Sequence, residues 1–250
     1  MRALLAVGLL AALAAPIRAQ QPTTTTIATT TTTTLPPPPE QHVKLLGTPP
    51  DLTGRWLVVG DIEAGAGRRP TVAFWDVSKT PEGTPDLRVR LVGLPPALQK
   101  AFDDAGNRQQ AWTPTAADLA TIAANWDHLP EQHQPIGRID TEIAGRDGFD
   151  DGMKTEPTTK DAVWIVRQVA TFLPSGTPMI RQVFVYAALA PSEDGYTGNY
   201  ALLMLAAAPF PIPISLKGTF HAYRLPAPSR GIVARILDVF TGCGARQPGR

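Results

Sequence analysis

Between Leu52 and Leu225 the apolar positions recur mainly with the period of two that a β-strand imposes. A first strand is predicted over 54–60, with Trp56 near its start, followed by strands over 71–77 and 87–92. Gly- and Pro-containing turns separate them at hairpin distance. In the third, Arg88 and Arg90 alternate with Leu87, Val89 and Leu91, which predicts one wet and one dry face. The period then lengthens. Pro95 and Pro96 open a helix whose apolar residues Leu94, Leu98, Phe102 and Ala105 step by three and four, and Gly106 and Asn107 end it. A second helix begins at Thr115, with Asp118 as its capping-box partner and Leu119, Ile122, Ala123 and Trp126 as its buried stripe. Strands resume over 136–143, 162–173, 179–189, 200–207 and 216–225, and a helical stripe at Ile232, Val233, Ile236, Val239 and Phe240 predicts a C-terminal helix.

Three of the later strands are apolar on both faces: Val163, Ile165 and Val169 oppose Trp164, Val166 and Phe172. A strand dry on both sides is sandwiched between layers, or faces a core outside and an apolar cavity inside. About eight strands joined by short connections predict antiparallel order, since a parallel pair needs a long crossover. The expected fold is mainly β, an antiparallel up-and-down barrel or strongly curved sheet with two inserted helices and a C-terminal helix.

The chain resembles the lipocalin and wider calycin group at three places. Gly54-Arg55-Trp56 looks like that family's Gly-x-Trp motif, and Thr197-Gly198-Asn199-Tyr200 is loosely similar to the segment before its seventh strand. Arg224 sits where the family carries an arginine that packs across the tryptophan. The resemblance implies a barrel of calycin shape in which Arg224 stacks on Trp56 and closes one end, a cation–π contact of about 0.5–2 kcal/mol.

The N-terminus changes the cellular setting. Arg2, the apolar stretch 3–15, Pro16 and Ile17-Arg18-Ala19 read as a secretory signal covering 1–19. No cysteine near the cleavage site offers a lipid anchor, so a secreted or periplasmic protein is expected. Residues 20–42 hold a threonine tract and Pro36 to Pro39, which impose an extended linker, glycosylated or bare. A single β-rich domain is expected over 43–241 and a polar tail over 242–250.

Charge narrows the partners. The chain has 23 basic and 22 acidic residues, so no basic face for nucleic acid is expected, and no apolar run is long enough for an integral membrane span. The single cysteine, Cys243, excludes a disulfide framework within the chain and leaves a monomer or a Cys243-linked dimer.

Candidate chemistry is sparse. His128 and His133, beside Asp127 and Glu131, carry zinc-ligand types, but Pro130 keeps them off one helix face. Asp147, Asp150, Asp151 and Glu156 resemble a calcium loop in composition, yet their spacing fails the EF-hand pattern, leaving a solvated turn or weak metal binding. Asp140 and Glu142 share a strand face, as an acid–base pair or a wet outer surface would. No serine sits on a nucleophile elbow. The prolines around Phe210, Ile212 and Ile214 suit a stiff rim, a docking strip or a rigid connection.

The leading expectation is binding of a small apolar or amphipathic ligand inside the sheet, without catalysis, metal or cofactor. Trp164, Val166, Phe184, Tyr186 and Tyr200 are expected to line the site, with His221 as a polar contact. A structural or interaction module displayed on the Thr/Pro segment is the alternative, and a hydrolase using Asp140, Glu142 or the His128 region the third.

Overall fold

A computed structural model of the chain describes residues 37–65, 67–149, 159–172, 179–206 and 212–226. Contacts divide the chain into Met1–Thr34 and Leu35–Arg250, and every described residue lies in the second unit. Nine strands are present among them: β1 (Glu40–Leu46), β2 (Gly54–Ala64), β3 (Gly67–Lys79), β4 (Pro85–Arg90), β5 (Ile136–Gly145), β6 (Trp164–Phe172), β7 (Met179–Ser192), β8 (Gly195–Ala206) and β9 (Ile212–Arg224). Helices α1 (Pro96–Asn107) and α2 (Ala116–Ala124) fall between β4 and β5.

The strands form one sheet in the order β1-β5-β6-β7-β8-β9-β2-β3-β4. Two meanders, β2 to β4 and β5 to β9, join through the antiparallel pair β2–β9. The exception to antiparallel order is β1, which runs parallel to β5 with Val43 beside Thr141. Purely antiparallel order is therefore corrected to a mixed sheet, and an up-and-down path to two linked meanders. The parallel pair arises because β1 precedes the whole first meander and adds to the edge of the second. Its first residue, Glu40, falls within the segment assigned to the linker; pairing becomes possible directly after Pro36 to Pro39, which lack N–H donors. The expected C-terminal helix lies outside the described residues.

The sheet curls until its two ends, β1 and β4, meet across a seam that is closed by a side chain. The Gln41 amide donates through Nε2 to the Val89 carbonyl at 2.9 Å, and its Oε1 accepts from the Val89 N–H at 2.7 Å. A primary amide presents the donor and acceptor of a peptide group side by side, so Gln41 substitutes for one rung of a strand ladder. Past β4, the backbone of 130–132 takes over the edge: Gly93 N–H donates to Pro130 O at 2.7 Å and Gln132 N–H to Leu91 O at 2.9 Å. The result is a nearly closed nine-stranded barrel. Substituting Gln41→Leu leaves both Val89 groups without partners, and is expected to cost about 1–3 kcal/mol in urea unfolding. Gln41→Glu, which retains an acceptor but loses the donor, should fall between.

Register assigns the faces, because directly opposed residues point the same way. Leu57 and Val59 on β2, Phe74 on β3 and Tyr223 on β9 face outward and pack with Leu94, Ala105, Trp112, Ile122, Ala123 and Trp126 of the helical insert. The helices start as expected. Pro96 opens α1, and the Thr115 side chain accepts from Asp118 N–H while Asp118 reaches back to Thr115 N–H at 2.8 Å. Trp126, in the 3-10 turn after α2, is held between two guanidiniums, Arg55 at 5.3 Å and Arg90 at 5.0 Å from its ring centre. The second outer cluster, Ile165, Val185, Ala187 and Ala201 with Leu46 and Phe149 against it, accounts for the outward half of the two-sided apolarity on β6 and β7.

Candidate functional site

The inward half of that apolarity is aromatic. Trp56, Trp75, Trp164, Tyr186, Tyr196, Tyr200 and Phe220 come from six strands and form one connected set of rings. Trp75 meets Tyr186 edge-on with centroids 5.0 Å apart, Tyr186 lies 4.9 Å from Tyr200 and 5.5 Å from Phe220, and Trp164 is 5.2 Å from Tyr196. Tyr196 in turn is 6.1 Å from Trp56. Edge-to-face pairs at such separations add about 0.5–1.5 kcal/mol each beyond area burial. Gly60 makes room for this arrangement. A β-carbon there would stand 2.4 Å from Thr71 Oγ1 and 3.2 Å from the Tyr200 ring, so β2 and the ring approach each other only because that position has no side chain.

Burial governs the electrostatics of this set. Desolvation pushes the Tyr200 phenol up to about 12, against hydrogen bonds from Thr71 and Tyr186 that favour its ionised form. Burial, followed by the neighbouring Tyr200, raises Tyr186 well above the ordinary phenol range. Both remain protonated donors at neutral pH. Three further interior groups have no hydrogen-bond partner: Trp75 Nε1, Trp164 Nε1 and Gln168 Nε2. Leaving such a buried donor unmet costs about 1–3 kcal/mol.

Toward the other end of the barrel the interior becomes a cluster of aliphatic residues and phenylalanines. A register shift between Ile136 and Arg138 lets Ile136 and Ile139, three apart, join Ala170 in one interior cluster. Val89 and Leu91 of the β4 side, and Phe172 and Phe184, pack against it. Exposure rises in the same direction: along β7, Ala188 and Tyr186 are buried whereas Phe184 and Gln182 are half-buried.

Trp164, Val166, Phe184, Tyr186 and Tyr200 are thus brought together on the inner face, through the pairs Val166–Tyr186 and Tyr186–Tyr200. His221 is on the opposite face. It pairs with Val59, whose side chain meets the helices, and its ring stacks on Tyr223 at 3.8 Å. The Arg224 guanidinium lies 5.3 Å from the Trp56 ring centre, and Trp56 Nε1 donates to Leu52 O at 2.6 Å. Sequence reasoning missed Trp75, Gln168, Tyr196 and Phe220. Gln168 carried a usable signal, as the one amide on a strand face otherwise made of Trp164, Val166, Ala170 and Phe172.

The remaining polar groups disperse. His221 Nε2 stands 2.8 Å from Asp194 Oδ1 and 3.1 Å from Ser192 Oγ, and Ser192 donates to the same Asp194 oxygen at 3.0 Å. Serine and aspartate meet one ring nitrogen, whereas a catalytic relay needs them on opposite nitrogens. Burial pushes the Asp194 carboxyl up, but the His221 and Ser192 hydrogen bonds outweigh it and hold Asp194 below its usual value. Asp140 pairs with Arg138 at 2.7 Å and Glu142 with Arg167 at 3.0 Å, both on the outer face. Asp127 pairs with Arg55 at 3.3 Å, and His128 and His133 are exposed. Asp147 accepts from Thr48 N–H and hydroxyl at 2.8 and 3.0 Å; the other members of its acidic cluster lie outside the described residues. Among the described residues no group of three metal-ligand side chains converges. On the outer face, Asp61, Glu63, Arg68 and Lys217 line a shallow cleft of about 190 Å³ in which Asp61 pairs with Arg68 at 2.9 Å.

The class these observations define is a nearly closed, mixed nine-stranded β-barrel with an aromatic interior and two helices packed outside. No protein-family model, curated protein or solved structure matches the chain.

Proposed function

We propose that the protein binds a small apolar or amphipathic molecule within the barrel, beyond the ring cluster and toward the end lined by Ile139, Ala170 and Phe184. The observation that carries this reading is the interior itself. Its middle is aromatic and aliphatic, interrupted by neutral donors, and Lys, Arg, His, Asp and Glu are absent from the described inner-face positions between the strand ends. Ligand sites have this composition, mainly apolar walls with a few placed polar groups. A secretory signal would make the protein an exported carrier. The interaction module on a Thr/Pro segment is the second reading, favoured by the close ring contacts that fill part of the interior.

Native and denaturing mass spectrometry of the full chain separates the two. A non-covalent mass lost on unfolding is expected, and is expected to weaken with Phe184→Ala. A bare mass in the native spectrum, together with no uptake of added octane or 2-octanone, would transfer the case to the module.

A further inference from the structure

We infer that the molecule held in the barrel is electrically neutral and offers a hydrogen-bond acceptor, a carbonyl or ether oxygen, to Gln168 Nε2 and Trp75 Nε1. This rests on the binding reading above and specifies its chemistry. Gln168 is 4% exposed, yet its amide nitrogen has no partner, and the indole nitrogen of Trp75, a residue 1% exposed, has none either. Both groups are donors, and an indole nitrogen is a donor only. Buried polar groups in folded proteins are overwhelmingly paired, so two unmet donors in one interior point to an acceptor that arrives from outside.

The two donor-bearing residues both neighbour Tyr186. Trp75 crosses the barrel from β3 to meet Tyr186 edge-on at 5.0 Å. Tyr186 opposes Val166 on β6, and Gln168 is the next inward residue along that strand, opposite Phe184. An oxygen beside Tyr186 would neighbour both donor-bearing residues, with Phe184 next along β7 toward Ile139 and Ala170. Trp164 Nε1, the third unmet donor, stands four residues from Gln168 along β6, about 13 Å away at strand spacing, too far to share that acceptor.

Neutrality follows from what surrounds the donors. The charged residues on the described inner face are Arg69, Lys79 and Arg224, all toward strand ends. A carboxylate or ammonium beside Tyr186 would be buried without a counter-charge, which is far costlier than burying a hydrogen-bonded carbonyl. Position 168 being amide, not carboxylate or cation, fits the same conclusion.

The test uses the full chain and its Gln168→Met variant, which keeps side-chain length and removes the donor. Each is titrated with 2-octanone, octane and octanoate, followed by tryptophan fluorescence and native mass spectrometry. The ketone is expected to bind about five- to tenfold tighter than the alkane. Gln168→Met should remove most of that preference, by weakening the ketone relative to octane. Without any added molecule, Gln168→Met should melt about 3 °C or more above the parent, since an unmet donor has been deleted. Equal affinity for ketone and alkane would overturn the inference and leave barrel binding standing. A preference for octanoate would overturn neutrality. Binding of none of the three would overturn the binding reading and this inference with it. A lower melting temperature for Gln168→Met would show that the amide is already satisfied in the free protein, which also overturns it.

Discussion

Trp75→Ala is expected to lower the stability of the barrel by about 3–5 kcal/mol, a large share of the 5–15 kcal/mol typical of a folded domain. Trp75 is 1% exposed and opposes Trp56 on one side and Val89 on the other, so its removal thins the wall of β2, β3 and β4 together. Its ring also reaches Tyr186 on β7, linking the two meanders through the interior and not merely along the sheet. Few surrounding residues can collapse into the space, because Tyr186 is itself held by Tyr200 and Phe220. Trp75→Phe supplies the control. It retains a ring for the edge-on contact and deletes the unmet indole donor, so its cost should be about 1 kcal/mol or less. Urea unfolding of both variants measures the difference. If the alanine and phenylalanine variants unfold at the same concentration, Trp75 does not bridge the interior.

Much of this architecture was legible locally. The alternation of Leu87, Val89 and Leu91 with Arg88 and Arg90 located β4, and Pro96 and the Thr115–Asp118 box located the two helices. What escaped was set by contacts distant in sequence. β1 is seven residues with polar Glu40, His42 and Lys44 on one face, and its strand character depends on β5, about a hundred residues later. Gln41 closes the seam through a side-chain amide, a device with no periodic signature. The inner face was harder still. Phe74 and Trp75 are adjacent and both buried, as are Leu57 and Val58, so alternation gives two apolar stripes without saying which one enters the barrel. His221 shows the consequence. Its side of β9 is fixed by pairing with Val59, and Val59 faces the helices. Trp164, Val166, Phe184, Tyr186 and Tyr200 share a face because the register between β6, β7 and β8 aligns them, which no single strand reveals.

The same buried tyrosines make the fold sensitive to alkali. The folded-state value of Tyr200 is pushed up to about 12 by burial, while an unfolded tyrosine ionises near 10. With a folded value above the unfolded one, the stabilisation is wholly present below about pH 10 and is lost as pH rises from there toward 12. In that window the unfolded chain releases the proton while the folded chain retains it, so stability falls by about 1.4 kcal/mol per pH unit from Tyr200 alone. Tyr186 adds a slope of the same sign, because burial raises it well above the ordinary range. Cooperative unfolding is therefore expected between about pH 10 and 12, with phenolate absorbance rising in the same transition that changes tryptophan emission. Phenolate absorbance that rises gradually while tryptophan emission stays native would show that these hydroxyls reach solvent in the folded barrel. Tyr186→Phe keeps the ring against Trp75, Tyr200 and Phe220 and removes one titrating group, so it should make the alkaline loss of stability shallower and move unfolding to higher pH. An unchanged slope in that variant would place the responsible ionisation elsewhere, most directly on Tyr223, which burial also raises, on the outer face against His221.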